Sequence, residues 1–401
     1  MSDVTLHPVS GVYLGACAAN IKKNGQTDMV ILELAEGSRT AATFTQNAFC
    51  AAPVTLAKAN LNSCSPRALI INSGNANAGM GKQGMADAKQ TCELVAKELG
   101  CQVEQVLPFS TGVIGQNLPM DRFKTGIPLA LSNLSVSGWK KASEGIMTTD
   151  TVAKTYSKTV DVDGHSVVLT GMSKGSGMIH PNMATMLGFA ATDARISQVC
   201  LDKCLLDAVN LSFNRITVDG DTSTNDACTL TATQQADMPE INDVNSQAYQ
   251  DFAVAINEMM TDLAQKIIRD GEGATKFVTI TVESGLNQAE CLQVANTVAL
   301  SPLVKTALFA SDPNWGRILA AVGRAGVEDL DIDALKIYLG DACIVENGGR
   351  ADSYTEEAGQ KVMDETDITI LIQLNRGEAM ETVWTTDFSY DYVKINAEYR
   401  T

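Results

Sequence analysis

Histidine is scarce in this sequence, and its scarcity removes whole classes of chemistry. The 401 residues contain three histidines, His7, His165 and His180, all in the first half. A metal centre built on histidines is therefore excluded, and a Ser–His–Asp triad has few candidates for its base. The ten cysteines form no C-x-x-C pair, which favours small apolar core residues in a reducing compartment over zinc or disulfide sites. We expect no metal.

Long apolar runs and an excess of basic residues are also absent. No apolar stretch reaches the ~18–20 residues that span a bilayer, and the N-terminus lacks the basic and apolar regions of a signal peptide. We therefore expect no membrane association and a cytoplasmic location. The 47 acidic and 30 basic residues give a net charge of −17, which opposes binding to nucleic acid.

Strand-length apolar runs alternate with helical patterns, which predicts a mixed α/β class with hairpins and crossovers. Asp163-Gly164 predicts a hairpin turn, and apolar residues at helical spacing, including Val254 and Met259, indicate a core-facing helix over 247–270. The other predicted helices are 85–100, 135–147, 197–213 and 290–309, the last broken at Pro302. The predicted strands are 29–34, 67–72, 105–109, 160–162, 166–169, 276–282, 335–339, 367–374 and 379–386, the last two joined around 375–377.

Residues 79–84 read G-x-G-x-x-G before a predicted helix, as in a dinucleotide-binding loop. In such a loop the strand turns directly onto the pyrophosphate, whereas here six residues separate Asn72 from Gly79. Glu104, the acid at the expected distance, precedes a predicted strand instead of ending one. A glycine-rich turn that feeds a helix is favoured, and a nicotinamide-dependent enzyme remains the weaker alternative.

Residues 171–175 read G-x-S-x-G around Ser173. The nucleophile elbow of α/β-hydrolases needs an acid and then a histidine downstream of its serine. His180 is the only later histidine, and residues 174–179 contain no acid. The motif therefore does not indicate a serine hydrolase.

The segment 174–187 leads through glycines, a serine and Pro181 to Ala184-Thr185 and an apolar run. Its composition favours a loop that enters a buried strand over 186–191. Chemistry offers another interpretation, because an acyl-transfer enzyme without a catalytic histidine needs another base, and a free α-amine titrates near about pH 8. A threonine that begins a chain supplies hydroxyl and base together. Thr185 reaches that state if its hydroxyl attacks the Ala184 carbonyl and water hydrolyses the resulting ester.

Residues 174–187 resemble the self-cleavage segment of the ornithine acetyltransferases (glutamate N-acetyltransferases), K-G-[SA]-G-M-I-x-P-x-[ML]-A-T-M-L. His180 departs from the alanine of many members. The other stretches that resemble this family are 72–78, 110–115, 146–151, 270–276, 311–317 and 396–401, so the resemblance covers nearly the whole chain.

The resemblance implies an α/β fold of layered mixed sheets with helices, similar to that of the self-cleaving aminopeptidases. It also implies self-processing between Ala184 and Thr185 into an α chain, 1–184, and a β chain, 185–401, which assemble as two α and two β chains. Thr185 would be the nucleophile of both self-cleavage and acetyl transfer. Thr111 and Gly112 would form the oxyanion hole, although from the residues alone they resemble a tight turn after 105–109.

The substrate-binding residues that the resemblance implies are Thr148, Lys174, Thr185, Glu272, Asn396 and Thr401. Lys174 would bind the substrate α-carboxylate and Glu272 the cationic side-chain amine of ornithine. Taken alone, Lys174 would be a surface lysine and Glu272 a solvated charge. Thr149 and Thr151 lie so close to Thr148 in sequence that the resemblance does not decide which of the three threonines binds substrate.

The implied reaction is the ping-pong transfer of acetyl from N²-acetyl-L-ornithine to L-glutamate, without a metal or a tightly bound cofactor. Some members of the family also accept acetyl-CoA, and nothing in the sequence decides whether this chain does. The rival with the same nucleophile is a self-cleaving amidase or aminopeptidase, which would hydrolyse the acyl-enzyme and need no acceptor.

Overall fold

The computed structural model describes residues 5–22, 25–180 and 186–398, which divide into two compact units. Unit 1 contains the described residues of Met1–Gly175, Pro181–Asn214 and Asp221–Ile267. Unit 2 contains those of Ser176–His180, Arg215–Gly220 and Ile268–Thr401. Ala184, Thr185 and Thr401 lie outside the described residues.

Strands and helices alternate along both units. The strands are β1 Val12–Cys17, β2 Met29–Leu34, β3 Arg39–Phe44, β4 Ala68–Asn75, β5 Val106–Val113, β6 Lys154–Val162, β7 His165–Lys174, β8 Leu187–Thr192, β9 Ile216–Thr217, β10 Ala227–Ala232, β11 Phe277–Gly285, β12 Lys336–Leu339, β13 Ala342–Glu346, β14 Gly349–Arg350, β15 Asp367–Gln373 and β16 Ala379–Thr386. The helices are α1 Ala52–Ser63, α2 Gly81–Leu99, α3 Met120–Ser132, α4 Trp139–Gly145, α5 Gln198–Leu211, α6 Gln247–Arg269, α7 Gln288–Ala299, α8 Pro302–Phe309, α9 Trp315–Gly323, α10 Glu356–Met363 and α11 Tyr390–Glu398.

Unit 1 is built on two mixed sheets, ordered β1-β2-β4-β5 and β3-β10-β8-β7-β6. The core between them includes Phe109 and Phe189, whose rings meet edge to face with centroids 5.1 Å apart. The opposite face of the first sheet packs on α2 and α3 through residues such as Cys92 and Phe123, and α5 packs on β3 and β10 of the second sheet. This arrangement confirms the layered α/β fold that we expected.

The second sheet takes strands from both sides of residue 185. Strands β3, β6 and β7 precede it, and β8 and β10 follow it. Strand β8 pairs antiparallel with β7 and parallel with β10. A break between Ala184 and Thr185 would therefore leave both fragments in one hydrogen-bonded sheet.

Unit 2 is built on a single mixed sheet, ordered β14-β13-β12-β15-β11-β16-β9. Strand β11 carries Val278, Ile280 and Val282 into the core, and α7 packs across β11 and β16. The predicted turn at 375–377 does join β15 to β16, but these two strands do not pair, because β11 lies between them.

Local sequence signals set several of the observed boundaries. Asp163 and Gly164 both adopt positive φ, 51° and 81°, and connect β6 to β7 as the predicted hairpin. Gly100 ends α2 in the left-handed conformation. Ser301 caps α8 by accepting a hydrogen bond from a backbone N–H, and Pro302 follows at the first turn, which divides the predicted 290–309 helix into α7 and α8.

Tertiary contacts overrode other predictions. The predicted helix 135–147 is limited to α4, because Ser135 exchanges backbone hydrogen bonds with Leu14 of β1. Val254 is 66% exposed, so its predicted place on the buried stripe of α6 is wrong, whereas Met259 is buried as predicted. Helix α2 begins at Gly81, before the predicted start at residue 85.

Two negative findings concern the described residues alone. None of their helices is long and apolar enough to cross a membrane, and their acids, histidines and cysteines form no cluster that could hold a metal ion. All ten cysteines are free, and six of them are buried: Cys17, Cys92, Cys200, Cys204, Cys228 and Cys291.

Lys305 of α8 is fully buried in unit 2. Its ammonium donates hydrogen bonds to Thr385 Oγ1 at 2.8 Å and to the carbonyl oxygen of Thr386, and it lies 4.6 Å from the centre of the Phe388 ring. Burial lowers the pKa of Lys305 to about 7, although the charges of nearby aspartates oppose this shift.

We expect the free energy of unfolding to rise with pH above neutrality because of Lys305. The folded state releases this proton near pH 7, whereas the unfolded lysine keeps it up to about pH 10, so the unfolded state binds more protons in that window. Urea unfolding of the wild type and of Lys305→Met at about pH 6.5 and about pH 8.5 measures the effect. The variant should gain less stability over that interval, and equal gains in both proteins would contradict the assignment.

Candidate active site

The first residue of β8 is flanked on both sides by strands of unit 1. Leu187 pairs with Lys174, the last residue of β7, and with Ala227, the first residue of β10. The Ala227 N–H donates to the Met186 carbonyl at 3.0 Å. Chain continuity puts Thr185 directly before Met186. The nucleophile and its cleavage partner Ala184 lie outside the described residues, so their assignment stays a prediction.

Thr111 and Gly112 lie at the carboxyl end of β5, in register with Ser73 and Gly74 of the parallel strand β4. The strand continues to Val113, so the alternative of a tight turn after residue 109 is wrong. Gly112 has φ +130°, and a Cβ there would lie 2.6 Å from the Asn75 nitrogen. This close approach of two strands explains why position 112 requires glycine.

Lys174 is buried, not a surface lysine, and it connects β7 to the strand end that carries Thr111. Its Nζ donates to Thr111 Oγ1 at 3.2 Å, and its side chain is 9% exposed. The sequence-predicted oxyanion residue and the sequence-predicted carboxylate ligand are therefore neighbours. An ammonium in this position can bind a substrate carboxylate beside Thr111.

Asp150 organises the charges around Lys174, and the sequence analysis missed it. Its carboxylate accepts from Lys154 Nζ at 2.7 Å, from the Gly175 N–H at 2.7 Å and from the Thr148 N–H at 3.0 Å. Burial alone would raise the pKa of Asp150, but the charges of Lys174 and Lys154 outweigh it and hold the pKa below its ordinary value. The Asp150 carboxyl therefore stays ionised to lower pH than an ordinary aspartate, and it ties the backbone of Thr148 to the end of β7.

Asn225 is a second residue that sequence reasoning missed. Its side-chain amide donates to the carbonyls of Ala76 at 2.6 Å and Ser110 at 2.9 Å. Because Ser110 directly precedes Thr111, Asn225 holds the peptide at the candidate oxyanion hole. The available signal was the run of aspartate, threonine and asparagine over 219–226, which indicates a structured loop but not its contacts.

Glu272 and Asn396 meet in unit 2. The Asn396 side-chain amide donates to Glu272 Oε2 at 2.7 Å, and the Glu272 N–H donates to the Ser176 carbonyl at 2.8 Å. Glu272 is 7% exposed, so the alternative of a solvated charge is wrong. A side chain at Gly177 would overlap the Glu272 carboxylate. A buried carboxylate held in this way can bind a cationic amine.

The segment that precedes the predicted cleavage point is anchored within unit 2. The Asp219 carboxylate accepts from the N–H groups of Met178 at 2.6 Å and Ile179 at 3.0 Å. The Ile179 carbonyl accepts from the Val218 N–H at 2.9 Å. The chain is therefore fixed up to Ile179 on one side of the cleavage point, and again from Leu187 on the other.

The structure agrees with the rejection of both competing motifs. Glu104 lies in a single turn of 3₁₀ helix, Val103–Gln105, that precedes β5. Ser173 lies within β7, where its hydroxyl donates to the Leu263 carbonyl at 3.5 Å, and not on a strand-to-helix turn.

The chain is similar to known proteins over nearly its whole length. Residues 13–401 match the model of the ArgJ family. Two curated relatives, both named arginine biosynthesis bifunctional protein ArgJ, come from Pseudomonas fluorescens (strain Pf0-1) and Pseudomonas syringae pv. tomato (strain ATCC BAA-871 / DC3000). They are 55% identical over 397 and 396 residues, which is 99% of this chain and 98% of each relative. A crystal structure of the Bacillus halodurans protein of that name is 37% identical, with a TM-score of 0.51, and covers 53% of this chain and 100% of its own.

Proposed function

This chain belongs to the ArgJ family, and we propose that it transfers the acetyl group of N²-acetyl-L-ornithine to L-glutamate, with L-ornithine and N-acetyl-L-glutamate as products. It is an acyltransferase of arginine biosynthesis. The observation that carries the proposed chemistry is the convergence in unit 1 of the start of β8, Lys174 and Thr111. These elements bring a carboxylate ligand and a candidate oxyanion donor to the strand that begins two residues after Thr185.

In this proposal Thr185 becomes the first residue of a β chain, 185–401, after self-cleavage from an α chain, 1–184. One observation supports the cut. The solved Bacillus halodurans chain is matched over its whole length by 53% of this chain, close to the share that residues 185–401 represent. The new α-amine then serves as the general base of acetyl transfer, so the mechanism uses no metal or bound cofactor.

Substrate recognition is proposed to use charge complementarity. Lys174 binds the α-carboxylate that both substrates share, and Glu272, held by Asn396, binds the side-chain amine of ornithine. Thr148 is retained over Thr149 and Thr151 as the substrate-binding threonine, because its backbone is tied through Asp150 to the end of β7. Thr401 keeps its proposed binding role, although it lies outside the described residues.

A second donor, acetyl-CoA, is the other part of the proposal. Both curated relatives carry the word bifunctional in their names. Acetyl-CoA would deliver its acetyl group to Thr185, and glutamate would accept it in the same second half-reaction.

The assembly proposed for the processed protein is two α and two β chains in the cytoplasm. The five-stranded sheet of unit 1 supports the association of α with β, because β8 pairs with strands from both fragments. Light scattering during size-exclusion chromatography measures the assembly, and a mass of one α and one β chain would contradict the tetramer.

One assay separates the proposed function from its rivals. The purified protein is incubated with N²-acetyl-L-ornithine with and without L-glutamate, and with acetyl-CoA as donor in a further arm. Acetylglutamate formed only when glutamate is present supports the transferase, whereas free acetate at the same rate in both arms indicates an amidase. With both substrates varied, parallel double-reciprocal lines are expected because the acetyl group rests on the enzyme between half-reactions. Intersecting lines would contradict the ping-pong route.

Thr111→Ala is expected to slow acetyl transfer about 100- to 1000-fold in kcat while changing KM little, because an oxyanion donor acts mainly in the transition state. Thr111→Ser is the matched control, since it keeps the hydroxyl that accepts from Lys174. Rates are expressed per cleaved chain, so that any effect on processing is counted separately. If Thr111→Ala raised KM and left kcat unchanged, the oxyanion role of Thr111 would be contradicted.

Glu272→Gln is expected to lower kcat/KM for N²-acetyl-L-ornithine about 10- to 100-fold, the loss of one charge-assisted hydrogen bond. The glutamine keeps the shape of the side chain and an oxygen for the Asn396 amide. L-Glutamate has no side-chain amine, so its kcat/KM serves as the internal control and should change little. Equal losses for both substrates would show that Glu272 does not recognise the amine.

A further inference from the structure

Lys305 of α8 holds the segment 385–388, which joins β16 to α11 within unit 2. Its buried ammonium donates to Thr385 Oγ1 at 2.8 Å and to the Thr386 carbonyl, and it lies 4.6 Å from the centre of the Phe388 ring. The Lys305 carbonyl accepts from the Phe388 N–H at 3.2 Å. One residue of α8 therefore contacts both ends of the segment that leads into α11.

Asp387 connects the same segment to the loop that carries Glu272. The Asp387 side chain is buried, and its carboxylate accepts from the Thr275 N–H at 2.8 Å, the Thr275 hydroxyl at 2.7 Å and the Lys276 N–H at 3.0 Å. Glu272 precedes Thr275 in this loop, before β11 begins. The segment that Lys305 holds is therefore also bonded to the loop of the proposed amine-binding carboxylate.

Helix α11 begins directly after this segment and carries Asn396. None of its nine residues, all of which the structure describes, is buried, so the helix has no core-facing side that fixes its position. Phe388 stacks on Tyr392 with ring centroids 4.9 Å apart. A Cβ at Gly273 would lie 2.5 Å from the Tyr392 nitrogen, so the loop backbone packs closely on the helix. These contacts hold α11 at its first turn, beside the segment 385–388.

We propose that Lys305 is a positioning residue for recognition of the ornithine side-chain amine, because it places Asn396 against Glu272. The inference rests on the proposed function, in which Glu272 binds that amine. Asn396 donates to Glu272 Oε2 at 2.7 Å, and a displacement of α11 would break or lengthen this bond. Lys305 acts on the pair through the segment 385–388 and not by contact with the substrate.

The ammonium of Lys305 supplies what an apolar side chain at this position could not. Burying a cation in a protein core is costly unless the cation is well bonded, and a methionine would occupy a similar volume without that cost. The ammonium provides directional bonds to the consecutive residues Thr385 and Thr386. These bonds fix the end of β16, from which the direction of α11 follows.

The test compares the two substrates in Lys305→Met. kcat/KM for N²-acetyl-L-ornithine should fall about 10-fold, within the range over which contacting groups are coupled. The loss should lie in KM, because binding of the amine is weakened and the chemical step is not. kcat/KM for L-glutamate, which has no side-chain amine, should change little. Rates are expressed per cleaved chain, and equal losses for both substrates would overturn the proposal.

A double-mutant cycle separates positioning from a general loss of stability. In the Glu272→Gln background no carboxylate binds the amine, so Lys305→Met should lower kcat/KM for N²-acetyl-L-ornithine by less than about 2-fold. If Lys305→Met keeps its full effect in that background, Lys305 does not act through Glu272 and the proposal is overturned.

Arg376→Met is the matched control. Arg376 also donates from a cationic side chain to two backbone carbonyls of unit 2, those of Glu328 at 3.0 Å and Asp329 at 2.9 Å, but it lies in the turn between β15 and β16. The variant should leave kcat/KM for both substrates unchanged. If it lowers the value for N²-acetyl-L-ornithine as Lys305→Met does, the effect is not specific to Lys305 and the proposal fails.

Hydrogen exchange of the α11 amides measures the position of the helix without an assay of activity. Lys305→Met should speed exchange over 390–398 about 10-fold, because the helix opens locally more often, whereas Arg376→Met should exchange like the wild type. Unchanged exchange in Lys305→Met would contradict the positioning role. A wild type that transfers no acetyl from N²-acetyl-L-ornithine would contradict the proposed function instead, so the two failures are distinguishable.

Phe388→Leu provides a second variant if Lys305→Met does not fold. It removes the ring that contacts both Lys305 and Tyr392. The same selective loss for N²-acetyl-L-ornithine is expected, with faster exchange of α11. If Phe388→Leu matches the wild type in both measurements, the segment 385–388 does not position α11 and the proposal is overturned.

Discussion

Replacing Thr185 by alanine is expected to give a folded, inactive chain of 401 residues that remains in one piece. The substitution removes the hydroxyl that attacks the Ala184 carbonyl and later carries the acetyl group, so both reactions are lost together. The wild type should run as two fragments, 1–184 and 185–401, and sequencing of the larger should read Thr-Met-Leu-Gly. A single intact band from active wild-type enzyme would contradict self-cleavage.

Two further substitutions make this result specific. Thr185→Ser keeps a hydroxyl and should be cut, more slowly, with residual transfer. Ser173→Ala should be cut and active, since Ser173 lies within β7 and its hydroxyl donates to the Leu263 carbonyl. If Thr185→Ala were cut and active while Ser173→Ala was inactive, Thr185 would not be the nucleophile. The serine-hydrolase interpretation would then be restored.

Asp150→Asn is expected to destabilise the protein by about 3–5 kcal/mol, the usual effect of removing one partner from a buried ion pair. The asparagine keeps the size of the side chain and an oxygen for the Gly175 N–H, but it removes the carboxylate charge that pairs with the buried Lys154 ammonium at 2.7 Å. Urea unfolding in the Thr185→Ala background measures the effect on one uncut chain.

The control for this experiment is an ion pair on the surface. Asp121 pairs with Lys124 at 2.9 Å, and its side chain is 96% exposed. Asp121→Asn should unfold at the same urea concentration as its parent, because solvent already screens that pair. If Asp150→Asn also unfolds at the parental concentration, the buried pair contributes no net stability and the charge cluster around Lys174 has another role.

The sequence by itself determined the family, the α/β class and those features whose causes lie within a few residues. The Asp163-Gly164 hairpin, the end of α2 at Gly100 and the division at Pro302 follow from backbone conformations that these residues prefer or forbid. Family motifs also predicted that Glu272 and Asn396 share a function, and the structure joins them by a hydrogen bond.

Only the tertiary structure decided the environment of the charged groups and the order of the strands. The burial of Lys174 and the lowered pKa of Asp150 depend on strands that are distant in sequence. The same holds for β11, which enters between β15 and β16 although it precedes both. The physical reason is that hydrogen-bond satisfaction and desolvation are properties of the packed assembly of strands, so the residue pattern of one segment cannot specify them.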